Sequence, residues 1–177
     1  MIILHKDAEY MRMALTEARK AFAKGEVPIG AVVILEGEII ASGHNLRETN
    51  RDATAHAEMI AIREACARLD RWRLSDATLY VTIEPCPMCA GALVMSRVKR
   101  VVYGSADYKA GAAESLFNIV NNDKLNHRLE VTAGVLEDEC KDIMKEFFQM
   151  RRLKAKELKK AAKKNEDANQ KASPTNP

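Results

Sequence analysis

The chain has 177 residues, 47% hydrophobic and 30% charged, with a formal net charge of +3, a size and make-up suited to one domain with a proper core. No apolar run approaches the roughly 18–20 residues that span a bilayer, and the opening MIILHKDAEYMR has too short an apolar stretch for a secretory leader. Four cysteines (Cys66, Cys86, Cys89 and Cys140) without such a leader argue against a disulfide scaffold, so a cytoplasmic protein with no membrane attachment is expected.

In chain order, residues 7–24 are expected to be helical. Met11, Ala14, Leu15, Ala18 and Phe22 share one face, and Lys24-Gly25 supplies a stop. The runs IGAVVIL and EIIASG, parted by Glu36-Gly37-Glu38, have the pattern of an antiparallel hairpin. A second helix should open near Thr54 or His56 and run to about Leu69, followed by Trp72 as a packing residue. ATLYVTI (77–83) is apolar enough for a strand buried on both faces. PMCAGALVMS reads as a helix, RVVYG and LEVTAGV as strands. A last helix from about Glu137 sets Cys140, Ile143, Met144, Phe147 and Met150 on one stripe before turning basic.

That order predicts an α/β fold: a three-layer α/β/α sandwich around a mixed five-stranded sheet opened by an antiparallel hairpin. Residues 1–160 should form a single domain. Residues 161–177 should be a basic then polar tail, partly disordered, since NEDANQKASPTNP is polar and aperiodic. Segment 151–164 carries eight Lys/Arg against one Glu, a local balance of +7 that leaves −4 for the rest of the chain. Such a segment either attracts a polyanion or is a solvated helix face.

The chemistry-bearing stretch is EPCPMCAG (84–91), with TAHAE (54–58) upstream. A Cys-x-x-Cys opening a helix suits thiol–disulfide exchange, because the helix N-terminus favours a thiolate, but that reading leaves TAHAE unexplained. A structural zinc site wants a fourth ligand. Cys66 and Cys140 fall in helical stretches as small hydrophobes, and His5, His44 and His127 lack paired spacing. His56, Cys86 and Cys89 remain, three ligands with one open place, as in a catalytic zinc site. Glu58 follows His56 by two residues, about 200° round the helix axis at 3.6 residues per turn. It therefore stands beside the metal rather than on it, where a carboxylate can relay protons.

The runs T-A-H-A-E and E-P-C-P-M-C-A-G-A resemble the signature of the zinc-dependent cytidine and deoxycytidylate deaminase superfamily, whose chemistry is a zinc-activated water with a glutamate proton shuttle. VPIGAVV (27–33), GHN (43–45), RVVYGSADYKAGAAESL (100–116), LNHR (125–128) and FFQMRR (147–152) extend the resemblance, up to about Lys160, to the bacterial tRNA-specific adenosine deaminases. The resemblance implies a cytidine deaminase-like fold and conversion of adenosine to inosine at the wobble position of a tRNA anticodon. It further implies a homodimer with one Zn2+ per subunit on His56, Cys86 and Cys89, and Glu58 as the catalytic acid–base.

By the same resemblance, Asn45, the backbone N–H of Ala57, the carbonyl of Glu84 and Asp107 contact the substrate, and Phe148, Arg151 and Arg152 contact the anticodon stem-loop of the tRNA, while Phe147 belongs to the core. The helix from Met88 to Met95 is the implied dimer face. The loop LRETNRDA (46–53) departs from the family pattern, in which a proline often precedes Thr-Ala-His-Ala-Glu. Competing readings are a zinc deaminase of a free base or nucleoside, such as cytosine or guanine, and a non-catalytic zinc module that binds RNA. The basic C-terminal segment argues against the first and Glu58 against the second.

Overall fold

The computed structural model describes residues 2–172, with side chains from 6 to 163. Helix α1 (Ile2–Ala23) begins before the predicted start, since neither Gly nor Pro interrupts it. The hairpin is β1 (Gly30–Leu35) and β2 (Glu38–His44), joined by Glu36-Gly37 alone. Both turn residues have positive φ, 52° and 85°, as a two-residue turn requires when its twist matches that of the strands. The register shifts at Val33/Ile34, where Val33 faces Ala41 and Ile34 faces Ile39.

Then come a single helical turn α2 (Arg47–Asn50), α3 (Ala57–Leu69), β3 (Thr78–Ile83), α4 (Pro87–Met95), β4 (Arg100–Ser105), β5 (Glu130–Thr132) and α5 (Glu137–Ala172). The predicted strand LEVTAGV shrinks to three residues, with Gly134 in the left-handed region at φ 78° just beyond. The order across the sheet is β2-β1-β3-β4-β5. β1 is antiparallel to both its neighbours, whereas β3, β4 and β5 run parallel. The sheet is mixed and five-stranded, as expected.

Alternation along the strands divides the core. Ala31, Val33, Leu79, Val81, Val101 and Tyr103 point to one face and pack with Ala57, Ala61 and Ala65 of α3 and Ala90, Leu93 and Val94 of α4. Val32, Ile34, Tyr80 and Val102 point to the other, against Met11, Ala14, Leu15 and Ala18 of α1 and Cys140 and Ile143 of α5. Those two layers of helix on one sheet make the α/β/α sandwich. On the α1 side, buried Asp7 accepts hydrogen bonds from Tyr80 at 2.7 Å and from both terminal nitrogens of Arg100 at 3.0 and 2.7 Å. Arg100 also donates to Thr132 Oγ1 at 2.8 Å, so one acid ties α1 to three strands.

One compact unit ends at Met144 and a second begins at Lys145. In the second, Phe147 is buried and Phe148 is 43% exposed. Their rings meet edge-on at 5.5 Å, and the Arg151 guanidinium lies 5.8 Å from the Phe147 ring. Met150, placed on the buried stripe by its spacing, is exposed. Helical backbone carries on through 161–172, where the polarity of the sequence predicts an irregular tail; the remainder of that tail, 173–177, lies outside the described residues. Among the described residues no helix is long and apolar enough to cross a membrane.

The end of β2, the start of β1 and the end of β3 lie at the same end of the sheet. Gly30 pairs with His44, the Asn45 N–H reaches the Ile29 carbonyl at 3.0 Å, and the Gly30 N–H reaches Thr82 Oγ1 at 3.2 Å. The sheet changes there from antiparallel to parallel pairing, with the segments after β3 and β4 leaving side by side. Crevices at such carboxyl ends are where open α/β sheets hold ligands.

Candidate active site

Two of the three candidate metal ligands are helix N-caps, and the third, Cys89, lies in the first turn of α4. His56 is the N-cap of α3, in extended backbone at φ −77° and ψ 153°, and Cys86 is the N-cap of α4 at φ −73° and ψ 170°. Pro87 opens α4, a position where its missing N–H costs nothing. Neither His56 nor Cys86 makes a side-chain capping hydrogen bond. They turn to each other instead: His56 Nδ1 lies 3.6 Å from Cys86 Sγ and 3.5 Å from Cys89 Sγ.

All three donor atoms fall within 4.8 Å of one another. Tetrahedral zinc with one nitrogen and two sulfur ligands needs N···S edges of about 3.6 Å, from bonds of about 2.1 and 2.3 Å. The donor set fits that ion in both chemistry and spacing. Among the described residues it is the one group of three or more such side chains close enough to hold a metal.

The electrostatics suit a cation. A hydrogen bond from Cys89, helped by His56, pulls the Cys86 thiol down to about 4, so it is a thiolate at neutral pH. Cys89 retains its proton, its pKa raised first by that same bond and then by burial. His56 is raised in turn, chiefly by its contact with Cys86. Both helix N-termini add partial positive charge to the cluster.

Glu58 sits in the first turn of α3 at 2% exposure. Burial pushes its carboxyl up to about 7, with the charge of Cys86 adding to the rise. A group poised between its two protonation states near neutrality can both take and give a proton. Ala57, fully buried, is the first residue of α3, whose amide has no partner within the helix.

Glu84, whose carbonyl the resemblance assigns to the substrate, does something else with its side chain. Its buried carboxylate accepts the N–H groups of Asp107 at 3.0 Å, Ala113 at 3.1 Å, Glu114 at 2.8 Å and Ser115 at 2.9 Å, and the Ser115 hydroxyl as well. Burial opposes its ionisation, but these donors outweigh it and hold the carboxyl below its ordinary value. One acid thus bolts the segment 106–116 to the cysteine turn. Asp107 uses its own carboxylate to accept the Lys109 and Ala110 amides at 2.9 and 3.2 Å, capping its turn.

Asn45 is buried at 3% exposure and donates its side-chain amide to Glu26 Oε2 at 3.5 Å. Glu26 is the residue that sequence reasoning misses. It reads as a solvated turn acid after Gly25, yet it is 1% exposed. Burial opposes its charge, and the Thr49 and Glu48 amides outweigh burial and keep it ionised. Its partners are nineteen to twenty-three positions away, so no local pattern announces it.

The structure therefore gathers His56, Cys86, Cys89 and Glu58 at one point, with Ala57 between His56 and Glu58 in the chain and Glu84 two residues before Cys86. Asp107 is tied to that group through Glu84, and Asn45 through the loop that ends at His56. Phe148, Arg151 and Arg152 belong to the second unit, where all three are exposed. Trp72 departs from its expected packing role: it is 53% exposed, with the Arg73 guanidinium 4.2 Å from its ring. His127 is structural, its Nε2 bonding the Val98 carbonyl at 2.7 Å.

Comparison with known proteins agrees with this geometry. The family model described as MafB19-like deaminase matches residues 5–152. A tRNA-specific adenosine deaminase of Bacillus subtilis (strain 168) is 55% identical over 160 residues, covering 90% of this chain and 97% of that one. A solved structure from studies of A-to-I editing by tRNA:A34 deaminases at the wobble position superimposes with a TM-score of 0.74 at 44% identity, over 76% of this chain and 98% of that one. A guanine deaminase from Nitrosomonas europaea reaches 0.68 at 26% identity, over 79% and 83%. The His–Cys–Cys tripod with a buried acid at its side, joined to identity along almost the whole length, makes this chain a member of the tRNA-specific adenosine deaminase family within the MafB19-like deaminases.

Proposed function

We propose that this chain hydrolyses adenosine to inosine at the wobble position of a tRNA anticodon, with His56, Cys86 and Cys89 holding one zinc ion per subunit. The observation that carries the proposal is the convergence of those three donors, 3.5 and 3.6 Å apart where they meet His56, beside an acid that is buried and uncommitted to the metal. Zinc held by His56, Cys86 and Cys89 would lower the pKa of water toward neutrality and so would supply a nucleophile for C6 of the adenine.

The chain's own groups manage the protons. Glu58 accepts the proton of the attacking water and delivers it to ring N1 as the new C6–O bond forms. It then carries the second proton to the exocyclic nitrogen, the C6–N bond breaks, and ammonia leaves with inosine behind it. The Ala57 amide and the Glu84 carbonyl flank this step, and Asn45 meets the purine edge with an amide that can both donate and accept. Asp107 faces the sugar–phosphate side of the flipped nucleotide.

The protein acts in the cytoplasm as a homodimer with the face of α4 at its interface, where Met95 is 70% exposed. Residues 1–160 serve as the catalytic domain. Exposed Phe148, Arg151 and Arg152 grip the stem-loop, the two arginines opening a +7 segment on an otherwise acidic chain. The rival reading, deamination of a free base, draws on the likeness to a guanine deaminase but leaves that basic segment without a task. Incubating the zinc-loaded protein with an anticodon stem-loop, free adenosine, cytidine and guanine, and measuring ammonia and base mass, separates the two. Hypoxanthine in the stem-loop alone is the expected result; turnover of guanine or cytidine with none of the RNA would overturn the proposal.

A further inference from the structure

Glu26 is a buried acid that the chemistry above leaves unassigned. It lies between α1 and β1, and its carboxylate takes its donors from the stretch 45–49. Oε1 accepts the Thr49 N–H at 2.7 Å, while Oε2 accepts the Glu48 N–H at 3.3 Å and the Asn45 side-chain amide at 3.5 Å. An ionised carboxylate enclosed at this depth has to be fully supplied with donors.

Two consequences follow. A carboxylate only accepts, so the Asn45 amide has to turn its NH2 toward Glu26, and its Oδ1 is thereby directed elsewhere. The Glu48 and Thr49 amides belong to the first turn of α2, whose N-cap Leu46 has no side-chain bond to give. Glu26 is the acceptor that this turn lacks. The same loop closes with Leu46 N–H on the Ala55 carbonyl at 3.0 Å, one residue before His56.

We infer that Glu26 is a positioning residue: it fixes the orientation of the Asn45 amide and seats the 46–55 loop against the metal centre, so that the base meets one hydrogen-bonding edge and not two. The catalytic half of this inference rests on Asn45 as a base contact; the link between Glu26 and Asn45 does not.

The test is Glu26→Gln in the zinc-loaded full chain. The substitution keeps size and one acceptor but sets an NH2 against the donors of Asn45 and Glu48. Two readouts apply. The first is the position of the Asn45 side-chain amide resonances in a nitrogen–proton correlation spectrum, identified by their loss in Asn45→Ala. They are expected to shift in Glu26→Gln, and unmoved resonances overturn the link.

The second is kcat and KM on the stem-loop, per bound zinc. A drop in kcat of about tenfold with KM held within about twofold is expected, and no further drop when Glu26→Gln is added to Asn45→Ala. An equal loss in both backgrounds overturns the positioning role. If Asn45→Ala alone keeps full kcat, the base-contact reading fails, whereas a shifted resonance still supports the link. Glu26→Asp, which keeps the charge and draws the oxygens back by one methylene, takes the same two measurements with the same expectations should the Gln variant not fold.

Discussion

In the proposed mechanism Glu58 is the side chain on which the chemistry turns, and its environment explains why a carboxylate can serve. At 2% exposure beside a thiolate, it is held near the middle of its titration at about 7. Glu58→Ala should retain stoichiometric zinc, since the carboxylate is not a ligand, and should lose turnover by about 10²–10⁴-fold, the range for removing a positioned acid–base. Metal analysis and stem-loop kinetics on one preparation check both halves. These side chains are legible in sequence because the motif is local: two residues from His56 to Glu58, three from Cys86 to Cys89. Glu26 and the carboxylate of Glu84 are not, because their donors come from loops tens of residues distant. An acid that caps its own turn, as Asp107 does, and one that caps a remote turn look alike as letters.

Among the elements, Gly43 near the end of β2 lets α3 approach the sheet. A Cβ there would overlap the Ala57 carbonyl oxygen and stand 2.9 Å from the Ala61 nitrogen, both backbone atoms that cannot swing aside. Gly43→Ala should therefore cost about 1–3 kcal/mol, read as a lower melting temperature. Because α3 carries His56 and Glu58, zinc content should fall with it. On the opposite face, Asp7 binds α1 to β3 and β4. Burial raises its carboxyl, but the hydrogen bonds of Arg100 and Tyr80 outweigh burial and leave it below 3.8. A carboxyl lowered by folding stabilises fully above its unfolded value, and that contribution drains away as pH falls through the folded one. Asp7→Asn should thus cost about 3 kcal/mol at pH 7 by leaving Arg100 unpaired, and the gap to the parent should hold down to about pH 5 and narrow as pH falls below about 4. Urea unfolding at those pH values measures it. The hairpin and the long helices are readable because turn chemistry and apolar spacing are properties of neighbours. The single turn α2 is not, since what caps it arrives from Glu26.

For the molecule as a whole, charge is divided between an acidic body and a basic C-terminal run. Arg151→Glu combined with Arg152→Glu should raise the KM for the stem-loop and reduce the steepness of its log–log salt dependence by roughly 1.4, two single-strand phosphate contacts at about 0.7 each. Truncation after Lys160 should leave both unchanged, and kinetics across a salt series decides between them. Two of the metal-binding side chains stand at helix starts where serine or aspartate ordinarily satisfies the first amides, and neither does so. On the proposed ligand set, a zinc ion would be a common clasp for α3 and α4. A chelator should do more than silence the enzyme: it should lower the melting temperature as free metal falls, with the logarithm of its concentration, and hydrogen exchange should quicken at both helix starts together. Zinc supply would then govern how much of this protein survives in a cell as well as how fast each copy works.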